Sequence, residues 1–320
     1  MRGKGMVATE RTTARPRRPG HGISLRHRPL VPACVFLLAT LGAPLWCRAE
    51  NPVFDLLMSR GVPVGADEVV RLPPPTLVDG QSAAEQRRAV ESIAGENHTW
   101  EDLTRRSVVA PLILRISKDE ARPESRGRRI DVWFVAYGDL RTLGNQEFLA
   151  RELRSATSES DPEYGSSSKV LTTSDLNRRG LTLPEAPSPV EHLAVEFTLL
   201  DRVRLQVTTE SSRSKTAESN LSASLLDRHF ENDAQFPNQW RPITRDDDGR
   251  RHLGTPQPYF GFGGYAKATR LIDQPGAIFI EYHAAFAEPQ DWFGGTNLLR
   301  SKLPILAQMI VRQLRRGLQK

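Results

Sequence analysis

The chain has 320 residues and a net charge of +6, but the first 49 residues hold nine Lys or Arg against one acidic side chain, Glu10, and so carry +8. The 271 residues that follow are therefore slightly acidic and lack the cationic excess that phosphate backbones demand, which argues against a nucleic-acid role. Cys34 and Cys47 also fall before Glu50, so the remainder has no disulfide, thiolate metal site or cysteine nucleophile.

Met1 to Arg28 is polar and basic, and Leu30 to Trp46 is apolar. Cys47-Arg48-Ala49 then places small residues at the −3 and −1 positions of a cleavage site. This is the region order of a secretory signal peptide covering 1–49. It predicts a secreted or periplasmic protein with no membrane span after cleavage. The alternative is an N-terminal anchor over 30–46, whose 17 residues lie at the lower limit for crossing a bilayer.

Pro52 to Arg60 reads as a short helix, and residues 61–80 as a proline-rich linker of extended backbone. Ser82 and Glu85 have capping-box spacing, and Gly95 stands where a helix stop belongs, predicting a helix over Ala83–Ala94. Val108–Ile116 and Ile130–Tyr137 are short, apolar and rich in β-branched or aromatic residues, as strands are. Asn145–Arg154 reads as a modest helix. Ser155–Pro189 is rich in Ser, Thr, Pro and Gly and is expected to be a mobile loop.

Leu193–Leu199 and Val203–Thr209 alternate as a strand pair. A second mobile insertion is expected over 211–258, with one or two helical turns in Leu221–Phe230 and a docking loop through Phe236, Trp240 and Ile243. Tyr265–Ile272 and Ala277–Ala287 flank the turn Asp273-Gln274-Pro275-Gly276 and predict a hairpin. Leu303, Leu306, Ile310 and Leu314 recur at helical spacing, with Pro304 expected in the first turn and Arg312, Arg315 and Arg316 near the favourable end of the helix dipole.

The sum is an α+β domain over 82–320: a curved antiparallel sheet of about six strands packed against a long C-terminal helix. In element order, Ser82 to Arg316 resembles the helix-grip architecture of START-type lipid-binding and polyketide-cyclase-like domains. The resemblance rests on that order alone. It implies a pocket between sheet and helix.

Candidate residues follow from this layout. Trp133, Tyr137, Tyr282, Phe286 and Trp292 are the aromatics available to line an apolar pocket, alongside Phe134 and Phe293. Glu281 and His283 share one strand face and have the chemistry of an acid–base or metal-ligand pair. Their simpler reading is a polar pair on the solvent side of the sheet. His98, His192, His229 and His252 show no metal-binding spacing and read as surface or loop residues. Gly261-Phe262-Gly263-Gly264 precedes a strand and reads as a bulge. Asp246-Asp247-Asp248-Gly249 lacks the flanking ligands of a calcium loop.

The functional expectation is an exported, non-catalytic domain that holds an apolar or amphipathic small molecule or lipid, with no cofactor or metal. The alternatives are a hydrolase or metal-dependent enzyme using Glu281 and His283, and an envelope structural or interaction protein.

Overall fold

A computed structural model describes residues 51–118, 125–145, 147–149, 151–152, 166–181, 190–289, 292–293 and 298–320. The leader and the anchor alternative lie outside the described residues, as do parts of the predicted helix over 145–154 and of the loop over 155–189. Among the described residues, no helix is long and apolar enough to cross a membrane.

β1 (Val62–Pro63) and β2 (Val69–Val70) make a small antiparallel pair. Among the described residues, eleven further strands form one antiparallel sheet. They are β3 (Leu112–Lys118), β4 (Gly127–Tyr137), β5 (Ser167–Val170), β6 (Val190–Leu199), β7 (Val203–Lys215), β8 (Ser219–Leu226), β9 (Gln239–Arg245), β10 (Arg251–Leu253), β11 (Gln257–Pro258), β12 (Phe262–Arg270) and β13 (Ala277–Ala287). From one edge the order is β3-β4-β13-β12-β8-β7-β6-β5. β9 takes the place of β8 beside the first residues of β7 and carries β10 and β11.

The three expected hairpins are present, with Leu114 opposite Val132, Val195 opposite Val207, and Ala266 opposite Tyr282. The stretch over 211–258 is not a mobile insertion. Its expected helical turns are strand β8, except for a single 3-10 turn at Arg228–Phe230, and its docking loop is strand β9. Ser, Ala and Asn give β8 little intrinsic strand preference. Pairing on both sides, to β7 and to β12, makes it a strand. The expected mobile loop likewise contributes β5 and a short helix at Thr173–Asn177.

One sheet face is small in the middle and large at the flanks. Gly264, Ala266 and Ala268 of β12 stand opposite Ser224, Ser222 and Asn220 of β8. A Cβ on Gly264 would sit 2.6 Å from the carbonyl oxygen of His283, so only glycine permits this approach of β12 to β13. The flanks carry Phe197, Leu199, Leu205 and Val207 on one side and Ile130, Tyr282, Ala284 and Phe286 on the other. Residues from both flanks line one space, so the sheet curls until its two sides face each other.

The C-terminal helix runs from Leu298 to Leu318 and covers the β3–β4 part of this concave face. Leu303, Leu306, Ile310 and Leu314 are buried, with Leu306 only 1% exposed. The helix starts before Pro304, which therefore lies inside it rather than in its first turn. Arg315 is also turned inward, not left at the solvent end of the helix dipole.

The convex face is covered too. Trp100 and Leu103 of a short helix (Trp100–Thr104) and Val90 of helix Ala83–Ala94 pack with Trp133, Val135 and Phe279. Both helices open on complete capping boxes, Ser82 with Glu85 and Thr99 with Asp102. The expected linker is a strap fixed to the sheet. Its Pro73 and Leu77 carbonyls accept from Tyr265 Oη and Lys267 Nζ, each at 2.8 Å. The glycines over 261–264 serve this arrangement. The Cβ positions of Gly261 and Gly263 are taken by Val64 and Pro63, and by Val62 and Leu57, respectively.

Candidate functional site

The concave face holds an apolar pocket of about 30 Å³. Ile130 of β4, Phe197 and Leu199 of β6, Leu205 and Val207 of β7, and Tyr282, Ala284 and Phe286 of β13 contribute alternate side chains, as one face of a pleated sheet requires. Tyr259, Phe262 and Trp292 close the lining. The Tyr259 hydroxyl donates to the Ala287 carbonyl at 3.1 Å, and burial pushes its pKa up, so it stays a neutral phenol. Trp292 stacks on Tyr259 and on Phe286, with ring centroids 5.6 and 6.4 Å away, and meets Trp240 edge-on. Its Nε1 is buried and, among the described residues, has no hydrogen-bond partner.

The five aromatics predicted for the pocket divide between the two faces. Tyr282, Phe286 and Trp292 line it together. Trp133 and Tyr137 are corrections: they share the odd-numbered side of β4 with Val135 and pack under the convex-face helices. Trp133 Nε1 donates to Thr76 Oγ1, and Tyr137 Oη to the Thr104 carbonyl. Phe134 does face the concave core. Sequence reading missed Tyr259, which follows a two-residue strand in a stretch without clear alternation.

Glu281 and His283 are not a solvent-side pair. Each is fully buried, beneath the strap. His283 Nδ1 lies 2.8 Å from Asp131 Oδ1, and its Nε2 lies 3.3 Å from Glu281 Oε2. That same Glu281 oxygen accepts from the Thr76 amide at 2.8 Å, while Oε1 is buried with no hydrogen-bond partner among the described residues. Arg129 reaches Asp131 at 2.9 Å from the sheet margin. Trp133 and Tyr265 pack on the imidazole with centroids 5.1 and 4.9 Å away. Burial by itself lowers the His283 pKa, but hydrogen bonds and charge from Asp131 and Glu281 outweigh it, and the net shift is upward. The geometry thus favours the protonated form of a buried imidazole set between the Asp131 and Glu281 side chains. Neither Glu281 nor His283 exposes surface to a substrate, and their contacts tie strap to sheet. Asp131, the missed partner, is the one charged residue in the apolar run Ile130–Ala136, and that interruption was a usable signal.

No family model and no curated protein matches the chain. Among solved structures it is similar to the human StarD13 (DLC2) lipid transfer and protein localization domain, with 12% identity and a TM-score of 0.38 over 67% of this chain and 87% of that one. It is also similar to human STARD10, with 10% identity and a TM-score of 0.35 over 78% of this chain and 83% of that one. What the pocket can hold follows from its own lining.

Proposed function

We propose that the chain binds one apolar small molecule bearing a hydrogen-bond acceptor, on the concave face of the sheet. The observation that carries this reading is Trp292: an indole N–H, buried and unpartnered among the described residues, at the wall of a pocket otherwise lined by apolar side chains and by two tyrosines, of which Tyr259 already donates to a carbonyl. A buried donor left unpaired costs about 1–3 kcal/mol, and a ligand carbonyl or hydroxyl oxygen would satisfy it. The present volume, about 30 Å³, has room for about one water molecule. A larger ligand must displace side chains. Trp292 is held by ring stacking and not by a side-chain hydrogen bond, so it is the wall that yields.

Native mass spectrometry of the purified protein, followed by solvent extraction, should release a bound apolar compound, and fluorescent fatty-acid analogues should be taken up. Trp292→Phe keeps an aromatic wall but removes the donor. It should weaken uptake by about tenfold, the equivalent of one hydrogen bond of ~1.4 kcal/mol, while melting stays close to wild type. Apo protein alone, with no uptake of any fluorescent lipid, would overturn the reading.

The proposal extends to location, on the region order of residues 1–49. Material recovered outside the cytoplasm should begin at Glu50 on N-terminal sequencing. Recovery of a membrane-bound chain that retains 30–46 would point to the anchor instead.

A further inference from the structure

On the convex side of the sheet, β6 and β7 set His192 directly opposite Glu210. His192 and Asp227 are 6% and 4% exposed, whereas Glu210 reaches solvent. Asp227 follows the last residue of β8 and is fixed by its backbone. Its amide donates to the Thr208 carbonyl at 2.9 Å, and its carbonyl accepts from Asn238 Nδ2 at 2.7 Å. Its Oδ1 accepts from the His229 amide at 3.0 Å and lies 2.7 Å from His229 Nδ1. Its Oδ2 points the other way, 3.2 Å from His192 Nε2, buried and without an aligned hydrogen bond. Glu210 Oε1 lies 3.9 Å from the same nitrogen, and one ligand atom from each of the three residues falls within 4.8 Å of the others.

Among the described residues, no lysine or arginine pairs with Glu210 or Asp227; imidazoles are their only ion partners. Two carboxylates brought together beside a buried ring call for a cation. An ion about 2.0–2.2 Å from each nitrogen and oxygen ligand places those ligand atoms roughly 3–4 Å apart, which the 3.2 and 3.9 Å separations match. Mixed imidazole and carboxylate donors suit a borderline transition ion better than calcium or magnesium.

We propose that His192 Nε2, Asp227 Oδ2 and Glu210 Oε1 bind a divalent transition ion of the zinc class, with the solvent side left for water or His229. The site lies on the opposite sheet face from the apolar pocket and does not depend on it. It joins β6, β7 and the exit of β8 through one ion.

Untagged full chain, stripped with chelator and titrated with zinc, should bind a single equivalent and melt at higher temperature, since the ion binds only the folded state. Cobalt in its place should give visible absorption bands of a nitrogen–oxygen site. His192→Gln and Glu210→Gln should each weaken zinc affinity by at least about tenfold. His252→Gln, which alters the exposed pair with Asp246, should change nothing. If His192→Gln does not fold, Glu210→Gln at its half-exposed position decides. Absence of saturable binding, affinity unchanged in Glu210→Gln, or loss in His252→Gln would each overturn the proposal.

Discussion

Replacing His283 with alanine is expected to destabilise the protein by about 3–5 kcal/mol, because it leaves two carboxylates buried without the cation between them. Asp131 and Glu281 are 1% and 0% exposed, so water cannot take over the lost contacts without opening the strap. The loss should have a characteristic pH dependence. The folded state holds the His283 proton more tightly than an unfolded chain does, since its pKa is raised. Its contribution is therefore complete below the ordinary histidine value of about 6.5 and fades as pH rises through the elevated folded value. Urea melts from neutral to alkaline pH should show wild type losing stability upward while His283→Ala loses less, so that the two curves converge. Parallel curves would show that the imidazole is not charged in the fold.

The second large effect is expected at Arg315, which is 1% exposed and near no carboxylate partner among the described residues. Its Nε donates to the Val135 carbonyl at 2.8 Å, Nη1 to Ala110 at 2.5 Å, and Nη2 to Pro111 at 3.0 Å, with Phe134 beneath at 5.6 Å. Burial lowers its pKa to about 10, with Arg312 adding to the shift, yet it remains cationic at neutral pH. The guanidinium fork thus joins the last helical turns to the segment entering β3 and to β4. Arg315→Met should cost about 3 kcal/mol or more, because three carbonyl acceptors, two of them in buried contacts, lose their donor together. Arg315→Lys keeps the charge but not the planar fork, and should recover less than half of that loss. Equilibrium denaturation measures both. A lysine variant as stable as wild type would mean that charge alone matters there.

Local chemistry was the readable part of this chain. The Ser82–Glu85 cap, the Ala277–Ala287 strand and the Leu303–Leu314 stripe each depend on residues a few positions apart, and each is in place. What was hidden depends on distant partners. Phe279 and Ala285 alternating with Glu281 and His283 look like an outward face until residues 71–79 are laid across them. Trp133 and Phe134 are both apolar because both sides of β4 are covered, so alternation could not say which one faces the pocket. β8 is a strand through its neighbours rather than its composition. His192, Glu210 and Asp227 have no motif spacing, because strand pairing, not sequence, makes them adjacent.

The strap has one more implication, for the order of assembly. Thr76 meets Glu281 across 205 positions, and Asn51 meets Ser212 across 161. Early-synthesised polypeptide therefore waits for late-synthesised polypeptide before either is sealed. Such long-range closure is slow, and it leaves oily strands bare in the interim. A chain built this way stays open until its far end emerges, so its last strands and final helix decide when the whole becomes compact.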